Sequence, residues 1–92
     1  MEVQCPDDLV MKHIVKLSIE KDKPIMLDYW KNSLTKEVAI GVRASGEKLL
    51  VKNEDEYTST IAKVYKVGNQ YIIETENSLY IVSADVPTKR IS

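Results

Sequence analysis

A helical spacing of hydrophobic positions opens the chain and gives way to alternation after residue 24. Val10, Ile14 and Leu17 fall close to the i, i+4, i+7 positions that share one face of a helix. This spacing predicts a helix over about residues 5–21. From residue 25 onward, apolar and polar residues alternate in short runs, which is typical of strands with one buried face.

The end of the predicted helix is marked by breakers. Asp22 and Pro24 stop it, because the residue before a proline is disfavoured in the helical region. Val15, Leu17 and Ile19 also alternate with polar residues, as they would in a strand. An earlier helix end near Leu17 therefore remains open.

Six alternating runs predict about six strands, joined by short turns. The runs cover residues 25–31, 37–43, 48–52, 58–67, 70–76 and 79–84. Ser45-Gly46 and Gly68-Asn69 are tight hairpin turns. Ile61 and Val64 are spaced by an odd number of residues, which predicts a bulge between them.

These elements place the chain in the α+β class. We expect one domain over residues 1–92, with the helix followed by an antiparallel small barrel or strongly bent sheet over about residues 25–84. Short connections favour antiparallel pairing of neighbours. Residues 85–92 form a basic tail, and its Lys89 and Arg90 either contact an anion or are simply solvated.

Charge and composition narrow the class of partner. The chain has 13 basic and 14 acidic residues, a net charge of −1, which argues against broad nucleic-acid binding. No apolar run approaches the roughly 20 residues of a membrane span. The N-terminus has no signal-peptide pattern, so we expect a cytoplasmic protein. The one cysteine, Cys5, excludes an internal disulfide.

Catalytic and metal-binding patterns are missing from the sequence. His13 is the single histidine, and no nucleophile elbow, phosphate-binding glycine loop or zinc spacing is present. We expect no enzyme, no metal and no cofactor. The acidic residues 54–56 read as a solvated loop rather than a cation site. We expect Glu74 and Glu76 to lie on the solvent-exposed face of a strand rather than to form a catalytic pair.

Two stretches stand out as candidate ligand contacts. Tyr57, Thr58 and Ser59 begin a run of hydroxyl side chains, which suits phosphate or sugar oxygens or else satisfies a bulge. The second stretch is residues 29–31. Its Trp30 either stacks on a ligand ring beside a basic side chain or belongs to the core.

The basic side chains that would accompany an aromatic contact are Lys31 and Arg43. The chain has five tyrosines, one tryptophan and no phenylalanine, so its aromatic side chains carry polar tips suited to ligand sites and interfaces. The predicted ligand contacts are therefore Trp30, Lys31, Arg43, Tyr57, Thr58 and Ser59.

Residues 58–61 (Thr-Ser-x-Ile) and 75–80 (Thr-x-Asn-Ser-x-Tyr), separated by a hairpin, carry a resemblance. The pattern resembles small β-rich accessory proteins of phages and other viruses, including counter-defence proteins that sequester cyclic nucleotide signals without cleaving them. This resemblance implies a homo-oligomer with a ligand site between subunits.

The sequence thus favours a non-catalytic protein that binds a small anionic ligand such as a cyclic nucleotide. A protein-interaction or oligomerisation module acting through sheet edges is the alternative. A single-stranded nucleic-acid binder is a third hypothesis, which the near-neutral charge disfavours.

Overall fold

The computed structural model describes residues 6–91, and Cys5 lies outside them. Two helices and seven strands are assigned in this part of the chain. In chain order they are α1 (Asp8–Lys21), β1 (Ile25–Met26), α2 (Trp30–Leu34), β2 (Ala39–Val42), β3 (Lys48–Val51), β4 (Ile61–Val67), β5 (Gln70–Thr75), β6 (Leu79–Ser83) and β7 (Thr88–Arg90). The α+β class is confirmed.

Helix α1 runs to Lys21, so the earlier end near Leu17 is wrong. Asp22 adopts the left-handed conformation, with φ 53° and ψ 48°, and its backbone N–H donates to the Ser18 carbonyl. Aspartate tolerates this conformation better than most residues, and the hydrogen bond satisfies a carbonyl at the helix end. Val10 and Ile14, on the predicted apolar face, are fully buried.

The strands form two sheets instead of a closed barrel. The four-stranded sheet has the order β1-β6-β5-β4, and the three-stranded sheet has the order β3-β2-β7. The hairpins β2–β3, β4–β5 and β5–β6 are antiparallel, as predicted. Gly46 and Gly68 have φ of 94° and 59° in their turns, and the predicted bulge lies between Ile61 and Lys63.

Two strand pairs are parallel, contrary to the antiparallel prediction. β1 pairs with β6, and β7 pairs with β2. Both pairs join segments far apart in sequence, where short connections no longer dictate direction. Residues 88–90, which include the basic Lys89 and Arg90 and were predicted as part of a tail, therefore form an edge strand.

The predicted strand over residues 25–31 is wrong beyond Met26. The chain turns at Leu27, whose carbonyl accepts from the Trp30 backbone N–H at 3.2 Å, and α2 begins there. This turn buries Tyr29 and Trp30 in separate halves of the core. The gain from burying two large aromatic rings exceeds that from a few more hydrogen bonds along an edge strand.

The four-stranded sheet is covered on both faces, and the core therefore has two halves. Ile72 and Ile81 pack against Val10 and Ile14 of α1 and against Trp30. On the opposite face, the second half of the core lies between the sheets and contains Val38, Leu50, Ile73, Val82 and Val86 with Tyr29. The layers are therefore helix, four-stranded sheet, three-stranded sheet.

Glu74 is buried, so the prediction that it lies on a wet strand face is wrong for this residue. Its Oε2 accepts from Lys23 Nζ at 2.8 Å, and Lys23 Nζ also donates to the Thr75 carbonyl at 2.7 Å. Tyr65 donates its hydroxyl hydrogen to Glu74 Oε1 at 3.3 Å. The hydrogen bond from Lys23 holds the pKa of Glu74 below its ordinary value, although burial opposes this.

We expect Lys23→Ala to lower the free energy of unfolding by about 2 kcal/mol at pH 7, because it leaves a buried carboxylate without its charged donor. The pair stabilises the fold fully above the unfolded carboxyl pKa of about 4.3. That contribution is lost as the pH falls through the lower folded-state pKa. Urea unfolding between pH 7 and pH 3 should therefore show the gap between wild type and Lys23→Ala closing in acid.

Lys12→Ala is the matched control, because Lys12 is exposed on α1. It should leave the free energy of unfolding nearly unchanged at every pH. A Lys23→Ala deficit that stayed constant down to pH 3 would contradict the assignment to Glu74.

Candidate ligand-binding site

The three-stranded sheet turns one face to the core and the other, its outer face, away from it. Ile40 pairs with Leu50, and both belong to the core half between the sheets. Because side chains alternate along a strand, the neighbouring positions lie on the outer face. Gly41 is one of these positions, and it pairs with Leu49 on one side and Lys89 on the other.

Gly41 leaves room for an apolar floor on this outer face. A Cβ atom at this position would lie 2.9 Å from Ile91 Cδ1 and 2.9 Å from Val51 Cγ2. The absence of a side chain lets Ile91 pack down across β2. Leu49, Val51 and Ile91 thereby form the floor of a cleft of about 680 Å³, within the usual range of small-molecule sites.

Three cations border this cleft, and we call Arg43, Lys89 and Arg90 the basic rim. Arg43 directly follows β2, and the other two belong to β7. The parallel register sets Val42 beside Arg90, and Ile91 donates its backbone N–H to the Val42 carbonyl at 2.8 Å. This pairing sets Lys89 beside Gly41, on the same outer face as Arg43 two residues further along, although Lys89 and Arg43 lie more than 40 residues apart in the sequence.

The 53–57 loop (residues 53–57) borders the cleft with Asn53, Glu54 and Tyr57. Asn53 Oδ1 accepts from the backbone N–H groups of Asp55 at 2.8 Å and Glu56 at 3.0 Å, which fixes the loop locally. An isolated bridge pairs Tyr57 with Val51 on β3. Tyr57 is 56% exposed, so most of its ring is accessible to a ligand.

The base of this loop is anchored to the core through Lys52. Its Nζ lies 4.5 Å from the centre of the Tyr29 ring and 3.7 Å from Glu56 Oε2. Tyr29 also packs edge-to-face on Tyr80, with ring centres 5.3 Å apart. Burial, with smaller contributions from Tyr80, Glu56 and Asp28, raises the pKa of Tyr29 to about 12. The ring therefore stays neutral at physiological pH, and a cation can rest on its face.

Of the six predicted contact residues, Arg43 and Tyr57 line the cleft. Thr58 and Ser59 do not, and their hydroxyls form hydrogen bonds within the protein. Thr58 Oγ1 accepts from the Leu50 backbone N–H at 3.1 Å and donates to the Ser59 carbonyl at 2.8 Å. Ser59 Oγ accepts from Asn77 Nδ2 at 2.7 Å. The structural reading of the hydroxyl run fits these two residues.

Trp30 and Lys31 lie on α2, away from the cleft. Trp30 is 5% exposed and packs in the core half beneath α1, which favours the core reading over ligand stacking. Lys31 is exposed. The strand predicted for residues 25–31 had placed both side chains on a sheet, and the turn at Leu27 removes them from it.

Besides the three apolar floor residues, four polar cleft residues were absent from the predicted contacts: Asn53, Glu54, Lys89 and Arg90. The sequence did indicate Lys89 and Arg90, because an anion contact is one of the two alternatives for the basic tail. The link to Arg43 was missing, because it depends on the parallel β2–β7 pair. Asn53 and Glu54 were read as a solvated loop.

A second groove lies between α1 and the β4–β5 hairpin. Leu9, Leu17 and Tyr65 line it, and His13 stands at its edge with Lys16. Within residues 6–91, no three His, Cys, Asp or Glu side chains are grouped so that they could hold a metal ion. No helix of these residues is long and apolar enough to cross a bilayer.

No protein-family model, curated protein or solved structure matches the chain. The resemblance to viral accessory proteins therefore stays a prediction.

The burial of Trp30 leads to a spectroscopic prediction. Trp30 is the single tryptophan of the chain, so its emission reports one environment. We expect weak quenching by acrylamide in the native state and strong quenching in urea, because the quencher reaches the ring only after unfolding. Strong native quenching would contradict the core assignment.

Proposed function

We propose that the protein is a non-catalytic binding protein that captures a small anionic ligand, such as a cyclic nucleotide, in the outer-face cleft. The observation that carries the proposal is the convergence of the basic rim and the exposed Tyr57 ring over one apolar floor. Cations hold phosphate oxygens, and an aromatic ring covers a base or sugar.

The electrostatics of the basic rim support an anionic ligand. Among residues 6–91, none of its three side chains is in an ion pair; the two pairs found there are Lys23–Glu74 and Lys52–Glu56. Three exposed cations that border one cleft repel one another, and Glu54, the acidic side chain that also borders it, forms no ion pair with them. A bound phosphate relieves this repulsion, and the planar guanidinium of Arg43 can contact it with two hydrogen bonds.

The cleft composition supports capture without turnover. The described lining residues include no His, Cys, Ser or Thr, so the common pairing of a Ser or Cys nucleophile with a His base is not found among them. His13 lies on α1, on the far side of the four-stranded sheet from the three-stranded sheet. The ligand should therefore leave the protein chemically intact.

We expect calorimetric titration with a panel of cyclic mononucleotides and dinucleotides to reveal binding that weakens with salt. Arg43→Ala should weaken it about tenfold, a loss of about 1.4 kcal/mol. Tyr57→Ala should weaken it by about 1–3 kcal/mol, the usual contribution of one base stacked on an aromatic ring. Ligand recovered after denaturation should be unchanged by mass spectrometry.

Lys31→Ala is the matched control for Lys89→Ala, because both remove one exposed lysine and only Lys89 borders the cleft. The affinity for the nucleotide should fall in Lys89→Ala and stay unchanged in Lys31→Ala. Absence of binding or thermal stabilisation by every nucleotide tested would refute the proposed function.

The edge of the four-stranded sheet supports a second candidate function, self-association. β4 is a seven-residue edge strand, and most of its residues are exposed. Val64 on this strand is 45% exposed. Long edge strands offer unpaired backbone groups to another strand, although Lys63 and Lys66 partly guard this one.

If β4 pairs with a second copy, light scattering after size exclusion should give a multiple of the chain mass. Val64→Lys should then restore the monomer, because a charge is added where two edges meet. Val15→Lys on α1, where Val15 is 46% exposed, is the matched control and should leave the mass unchanged. A monomeric wild type would rule this function out.

A further inference from the structure

The two ends of the cleft carry different chemistry, and the difference points to one class of ligand. Resting on the capture function proposed above, we infer that the ligand is a guanine nucleotide, whose base is read by Glu54 and Asn53 and whose phosphate lies on the basic rim.

The strand register separates the two ends. Val51, which leads into the 53–57 loop, pairs with Ala39 at the start of β2. Val42, at the other end of β2, pairs with Arg90 and is followed by Arg43. From Ala39 to Arg43 the chain advances four residues at about 3.3 Å each, so the loop and the Arg43 end of the rim lie about 13 Å apart along the sheet. A nucleotide, with its base at one end and its phosphate at the other, matches this arrangement.

Glu54 is the acidic side chain among the described residues that line the cleft. A carboxylate in an anion-binding cleft weakens binding through repulsion unless it meets hydrogen-bond donors on the ligand. It is acceptor-only when ionised, and its two oxygens can receive two parallel N–H groups. Glu54 and Tyr57 both border the cleft from the 53–57 loop, so we assign the carboxylate to the edge of a base stacked on the Tyr57 ring.

Asn53 supplies the complementary donor. The loop uses its Oδ1, which accepts from the Asp55 and Glu56 N–H groups. These bonds orient the side-chain amide and leave Nδ2 outside the hydrogen bonds of the loop. Asn53 and Glu54, which follow one another in the loop and both border the cleft, thus carry one amide donor and one two-oxygen acceptor.

Guanine is the common base whose edge complements this set. It presents the adjacent donors N1–H and N2–H₂ to a carboxylate, and the neighbouring O6 accepts from an amide N–H. Adenine places an unprotonated N1 beside its amino group, so one carboxylate oxygen would face a lone pair. Cytosine has the same mismatch at N3, and uracil offers a single N–H.

Calorimetric titration of the whole chain with GMP, IMP and AMP, and with their 3′,5′-cyclic forms, tests this inference. IMP lacks only the N2 amino group, so its affinity should be about tenfold weaker than that of GMP. Glu54→Gln should reduce the preference for GMP over IMP to about threefold or less, while the affinity for AMP stays the same or rises. Asp55→Asn is the matched control, because it removes a neighbouring carboxylate that does not line the cleft; the preference should survive it.

The outcomes separate the inference from the proposed function. Equal affinity for the three bases, or a guanine preference that survives Glu54→Gln, overturns the guanine assignment while capture of an anionic ligand stands. Absence of binding by all six nucleotides and by the cyclic dinucleotides overturns both.

Discussion

Burial of both faces of the four-stranded sheet is the constraint on which the rest of the structure depends. On β5, the consecutive residues Ile72 and Ile73 point to opposite sides and are both fully buried, and Ile81 and Val82 repeat this on β6. A sheet with two apolar faces needs two cover layers. Helix α1 supplies one cover layer, and the three-stranded sheet supplies the other. This is why one helix and a second sheet pack on the same four-stranded sheet.

The outer-face cleft is a consequence of this layering. The three-stranded sheet uses one face to cover β5 and β6, and nothing in the described chain comparable to α1 covers its other face. Gly41 and the residues around it must limit exposed apolar area there, and Ile91 packs across the sheet to do so. What remains open is a shallow concave surface bordered by the 53–57 loop and by β7. A rigid floor with polar groups at its edges is a common form for a binding site.

Local signals predicted the local parts of the fold. Gly68 marked its hairpin because few other residues adopt positive φ at low cost, and the apolar face of α1 was visible from its spacing. Glu74 was misassigned because alternation shows which residues share a face but not that Lys23 can accompany a carboxylate into the interior. The strand over residues 25–31 was wrong beyond Met26 because burying the large Trp30 ring overrode strand propensity. For the site, Arg43 and Tyr57 were predicted, but their relation to Lys89 depends on a parallel pair that no local pattern encodes.

The dependence of the basic rim on β7 also couples binding to folding. The pairing of β7 with β2 holds Lys89 and Arg90 beside Arg43 against their mutual repulsion, through a three-residue strand whose residues are all exposed. Strands with so little buried surface open at low free-energy cost. An anion between the cations removes the repulsion only when β7 is paired. If the cleft captures an anion as proposed, binding to the paired state stabilises that pairing by the free energy that mass action assigns to the ligand.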